Sequence, residues 1–166
     1  MGALEYKPAI SGAPTSARKI EVSRLVELSN LILTERENLS GHLTGDNDKR
    51  DIEDILRVGT SAGGARAKAI LAWNEKTGEF RSGQIKAGKG FTHWLMKFDG
   101  VEENKDKELA DPQGYGRIEY AYHLMAKAAG IIMMPCRLHE EGGRAHFMTQ
   151  RFDRTPDGKK LHMQSL

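Results

Sequence analysis

The chain has 166 residues, 39% of them hydrophobic, enough for one domain that buries roughly 70% of the surface its unfolded chain would expose. Its 25 Lys plus Arg nearly balance 23 Asp plus Glu, and a net charge of +2 gives no ground for nucleic-acid or membrane-surface binding driven by overall charge. The single cysteine, Cys136, excludes an internal disulfide framework, and no histidine stands with it at a zinc-ligand spacing. The longest apolar stretch, Ile131 to Pro135, falls far short of the roughly 20 residues of a membrane span, and no basic-then-apolar segment opens the chain. The expected setting is therefore the cytoplasm, with no membrane and no metal site of its own.

In chain order, Met1 to Arg18 carries Gly2, Pro8, Gly12 and Pro14 among small residues and is expected to be an extended lead-in. From Lys19 to Leu39 the apolar residues Val22, Leu25, Val26, Leu28, Ile32 and Leu33 recur at helical spacing. Asp51 to Arg57 predicts a short second helix feeding a glycine-rich run. Ala67 to Trp73 and Glu79 to Ile85 then flank Asn74-Glu75-Lys76-Thr77-Gly78 and read as a hairpin, with His93 to Phe98 a third strand.

Val101 to Asp111 is charged and reads as a solvated loop or frayed helix. Arg117 to Ala129 follows as a helix whose apolar stripe is Ile118, Ala121, Tyr122, Met125 and Ala129, stopped by Gly130. Cys136 to His139 and Ala145 to Gln150 surround Glu141-Gly142-Gly143 as a second hairpin. These elements predict an α+β fold with a mostly antiparallel sheet.

Three features carry chemistry. Gly59-Thr60-Ser61-Ala62-Gly63-Gly64-Ala65-Arg66-Ala67-Lys68 stands before a strand, and its glycines, hydroxyls and cations suit a phosphate cradle; as a local signal alone it reads sooner as an ordinary turn, since it matches neither the Walker nor the kinase glycine pattern. Strand alternation puts Trp94, Met96 and Phe98 on one face and His93, Leu95 and Lys97 on the other, so Lys97 either projects into a cleft or stands solvated. Glu119 lies early in the second long helix, where it either pairs with that lysine or complements the helix dipole. The order of glycine loop, hairpin, lysine strand and glutamate helix is that of a kinase N-lobe, in which the strand lysine reaches nucleotide phosphates and the helix glutamate holds it.

Five ordered runs resemble the HipA-type serine/threonine kinase toxins of bacterial toxin-antitoxin modules. They are Met1 to Tyr6, Ser61 to Ala69, Trp94 to Asp99, Tyr115 to Tyr122 and His146 to Arg154. The resemblance implies a kinase-like N-lobe over residues 19–154, after the lead-in 1–18, with 155–166 beginning a connection to a second lobe. It implies that Ser61, Ala62, Gly63, Gly64, Ala65, Arg66 and Lys68 form the phosphate-binding loop, that Ser61 is the autophosphorylated serine, and that Lys97 is the ATP lysine. Gln150 to Phe152 would be the adenine-holding hinge. Ala67 stands where relatives often have proline or glutamate, and Gln150 where some have glutamate.

The resemblance further implies ATP with Mg²⁺ as the bound species, a HipB-like antitoxin as partner, DNA only through that antitoxin, and an aminoacyl-tRNA synthetase as substrate. The catalytic aspartates and metal ligands of such a kinase are absent from these residues, and Phe98-Asp99-Gly100 is no substitute for Asp-Phe-Gly. The chain alone is therefore expected to be inactive and prone to self-association near Phe147, Phe152 and Leu161 to Leu166. The alternative is a non-catalytic regulatory or interaction module with the same fold. A third class, nucleic-acid binding, has only Arg137, Arg144, Arg151, Arg154, Lys159 and Lys160 to support it.

Overall fold

The computed structural model describes residues 19–34, 67–84, 86–101, 113–155 and 157–163. The lead-in over 1–18, the short helix at 51–57, the glycine-rich run from Gly59 to Arg66 and most of the charged stretch after Val101 lie outside the described residues.

The fold is α+β. Helix α1 (Val22–Thr34) precedes β1 (Lys68–Asn74), β2 (Glu79–Ser82) and β3 (Thr92–Lys97), followed by α2 (Tyr115–Ala128), β4 (Cys136–Glu141) and β5 (Arg144–Gln150). The five strands form one sheet in the order β2-β1-β3-β5-β4, with every neighbouring pair antiparallel.

Both predicted hairpins form, for local reasons. Asn74 accepts the Lys76 and Thr77 amides on its side-chain oxygen and the Gly78 amide on its carbonyl, which closes the β1–β2 turn. Strand β2 runs to Ser82, and Gly83 follows so close to Ile70 that an added Cβ would stand 2.8 Å from its Cγ2; the expected end at Ile85 lies outside the described residues.

The core lies between α1 and one sheet face. Val22, Leu25 and Val26, at helical i, i+3, i+4 spacing, pack with Ala69, Leu71, Phe80, Trp94, Met96, Phe98 and Met148. The alternation read from β3 holds, since Trp94, Met96 and Phe98 are buried in this cluster and Lys97 is on the opposite face. Ile20 adds a bridge to β2 through its N–H to the Phe80 carbonyl, 2.7 Å. The sheet curls over this face far enough for its two edges to meet. Phe80 of β2 and His139 of β4 have ring centroids 4.9 Å apart, and Arg137 of β4 pairs with Glu75 in the β1–β2 turn at 2.6 Å.

Helix α2 corrects the sequence reading. Its expected apolar stripe faces outward: Ile118 is 50%, Tyr122 66% and Met125 64% exposed, and Ala121 and Ala129 are exposed too. The buried positions are Gly116 and His123. A Cβ on Gly116 would fall 1.8 Å from the Ala145 carbonyl oxygen, so a bare glycine lets the helix press its first turn against β5. Its end is as expected: Ile131 N–H reaches the Ala126 carbonyl and Gly130 N–H the Lys127 carbonyl, with Gly130 at φ 80°, a Schellman stop.

Among the described residues no helix is long and apolar enough to cross a membrane.

Candidate functional site

The register β1–β3 places Lys68 directly opposite Lys97, and β3–β5 places Lys97 opposite Phe147, so these side chains share the face away from the core. Glu119, one turn into α2, meets them there. Lys97 Nζ donates to Glu119 Oε2 at 2.6 Å, and the ammonium stands 5.8 Å from the Phe147 ring centroid.

Lys68 is 6% exposed. Burial, and then the neighbouring Lys97 charge, hold its amine below the ordinary lysine range, with Glu119 opposing the shift. Two lysines facing one carboxylate make a partly desolvated, net positive patch, which suits an anion with several oxygens. The Lys97–Glu119 pair is about a third exposed on the lysine and a quarter on the glutamate, so it contributes at most about 1 kcal/mol. That is too little to hold a helix in place, and something else must position α2.

The first turn of α2 meets the Asp99 carboxylate, and sequence reasoning missed this contact by weighing Phe98-Asp99-Gly100 only as a metal motif. The carboxylate is buried, at 3% exposure. It accepts the amides of Gly114 at 2.9 and 3.1 Å, Gly116 at 3.5 Å and Ala145 at 3.3 Å, while its own N–H donates to His146 Nδ1 at 3.0 Å. The helix begins at Gly114 with no side-chain cap of its own. A start reading Gln113-Gly114-Tyr115, without Ser, Thr, Asp or Asn at the cap, was the available signal that an acceptor must come from elsewhere.

The expected hinge residues lie beyond this patch at the end of β5. The Gln150 amide donates to the Pro135 carbonyl at 2.9 Å and the Arg151 amide to the His93 carbonyl at 2.8 Å. Phe152 is 65% exposed, whereas Phe147, expected on the same exposed surface, is buried at 7%. Behind them Arg151 and Arg154 both grip the buried Asp153, at 2.7 Å from Arg151 Nε and 2.9 Å from Arg154 Nη1. Burial pushes the Asp153 carboxyl up, but the hydrogen bond and charge of Arg151 and the charge of Arg154 outweigh it and hold the group below its usual range.

Several of the basic residues near the C-terminus thus face carboxylates: Arg137 with Glu75, Arg151 and Arg154 with Asp153, and Lys159 with Asp157. Among the described residues no group of His, Cys, Asp and Glu is arranged to hold a metal ion. Ser61, Ala62, Gly63, Gly64, Ala65 and Arg66 fall outside the described residues, so of the expected loop only Lys68 is located.

The family model for the HipA-like C-terminal domain matches residues 60–166, and the chain belongs to that family. The match begins beside Ser61 and is narrower than the whole-length resemblance read from the sequence. No curated protein and no solved structure matches the chain significantly.

Proposed function

We propose that this chain is the nucleotide-phosphate-binding portion of a HipA-like serine/threonine protein kinase. The observation that carries the reading is the Lys97–Glu119 pair joining β3 to α2, with Lys68 across the strand. In this reading Glu119 fixes the direction of the Lys97 ammonium, and the ammonium holds phosphate oxygens of ATP. The run Ser61 to Arg66, outside the described residues, is proposed on family grounds to bind the phosphates as well. A protein hydroxyl attacks the γ-phosphorus, the bond to the β-γ bridging oxygen breaks, ADP leaves, and the hydroxyl proton passes to a base. Positioning and charge stabilisation supply most of the catalysis in such a transfer.

The base and the Mg²⁺ ligands are proposed to come from a second lobe, and the described residues here bind and orient only. Because the Gln150 and Arg151 amides are committed inside the fold, adenine contacts would fall to neighbouring carbonyls and to Phe152. In this reading, modification of Ser61 would add about −1.5 to −2 charges to the proposed phosphate-binding run and displace the nucleotide. A HipB-like antitoxin and an aminoacyl-tRNA synthetase substrate are the partners proposed on family grounds. The exposed apolar stripe of α2 favours a second reading, a non-catalytic interaction module.

Calorimetry separates the two. The isolated chain should bind ATP with Kd on the order of 1 mM, about 4 kcal/mol, and lose that binding in Lys97→Met, while transferring no label from γ-labelled ATP. Binding that Lys97→Met leaves unchanged would overturn the nucleotide reading.

A further inference from the structure

The Lys97–Glu119 pair depends on how α2 is rotated and set along its axis, because Glu119 reaches β3 only from one side of the helix. The buried polar contacts at the start of α2 converge on one carboxylate, while the Arg117–Glu140 pair from the same turn to β4 is more than half exposed. Asp99, two residues beyond Lys97, binds the amides of Gly114 and Gly116 in the first turn of α2 and the amide of Ala145 at the start of β5. Ala145 is gripped twice, since its carbonyl also lies against Gly116, where any Cβ would collide with it. The buried His146 takes the Asp99 N–H and holds the backbone that carries the carboxylate. Lys97 and the anchor of its partner helix therefore sit two residues apart on one chain, and Glu119 lies three residues beyond the anchored Gly116. The apolar stripe of α2 points away from the sheet and supplies no competing grip.

We propose that Asp99 is the positioning residue of the Lys97–Glu119 pair: it fixes the first turn of α2 against β3 and β5 and thereby delivers Glu119 to Lys97, without itself touching the nucleotide. That the pair serves a nucleotide rests on the function proposed above. The placement does not.

The test uses the full chain and reads geometry separately from binding. Trace acylation followed by peptide mass spectrometry gives the reactivity of the Lys97 amine relative to Lys76 in the β1–β2 turn. In Glu119→Gln the ratio should rise about twofold to fivefold, as for loss of a modest ion pair. Asp99→Asn, isosteric but unable to accept on both side-chain atoms, should raise it by a similar factor. The double variant should show no further rise, because both changes remove the same contact. An unchanged ratio in Asp99→Asn, or effects that multiply in the double variant, would overturn the proposal.

Should Asp99→Asn fail to fold, hydrogen exchange on Glu119→Gln decides instead. The Gly114 and Gly116 amides should keep their wild-type protection, since Asp99 and not the ion pair holds the helix start. Faster exchange there would reverse the proposed order of dependence and overturn it. Failure of the wild-type chain to bind ATP would sink the nucleotide reading and leave both of these outcomes intact.

Discussion

Helix α1 meets the sheet through Val22, Leu25 and Val26, none more than 6% exposed, whereas α2 turns Gly116, Glu119 and His123 toward the strands and leaves Ile118, Tyr122 and Met125 at least half exposed. Both helices lie on the same sheet, yet the forces differ. Apolar burial is strong but non-directional, so it fixes that a helix packs and only loosely how it is rotated. Hydrogen bonds to a buried carboxylate are directional, and those of Asp99 set α2 at one angle. A helix that must deliver one side chain to one place is better held the second way.

The contrast breaks most directly at α1. Leu25→Ala removes a side chain that is 0% exposed and should cost about 2–5 kcal/mol, read by urea unfolding. If the loss were below about 1 kcal/mol, α1 would not be part of the cooperative core.

A second, smaller effect should separate the helices by pH. His146 is 1% exposed and accepts the Asp99 N–H. Burial foremost, then the charge of His139, push its imidazole down to about 4 from 6.5. The folded protein thus holds His146 neutral while the unfolded chain takes up a proton between those values. Stability from this group is complete above pH 6.5 and falls progressively as the pH drops toward 4, by at most about 3 kcal/mol. His146→Asn, which can still accept the Asp99 N–H, should flatten that slope. Amides of α2 should lose exchange protection before those of α1 on acidification, and simultaneous loss would argue against separate anchoring.

The smallest effect is expected on the outer stripe of α2. Tyr122→Ser with Met125→Gln should change stability by no more than about 0.5 kcal/mol, although each position reads as core by periodicity. A loss comparable to that of Leu25→Ala would mean the stripe is covered in solution. Sedimentation at high concentration shows whether a second copy covers it.

The strands, both hairpins and the α1 face were legible because local chemistry decides them: alternation on β3, the Asn74 turn and the Val22-Leu25-Val26 spacing. The facing of α2 was not legible. Its apolar periodicity points at Ile118, Tyr122 and Met125, and tertiary contacts at Gly116 and Asp99 override it. Lys97 and Glu119 could be named from element order, and the structure brings them to 2.6 Å. Asp99 escaped because its partners stand 15 to 47 residues away, beyond any local pattern.

The meeting of the two sheet edges has a consequence for the protein's behaviour at high concentration. An open strand edge is a template on which another copy can add a strand and begin a polymer. Here β2 carries the Ile20 bridge, while Arg137 lies over the Trp73 ring at 5.5 Å and ties β4 to the opposite turn through Glu75. A strand arriving beside β4 would have to displace a charged side chain held at both its aromatic and its acidic neighbour. A charged side chain at a curled edge works against edge-to-edge pairing, and the Arg137–Glu75 pair, about half exposed, adds at most about 1 kcal/mol to that.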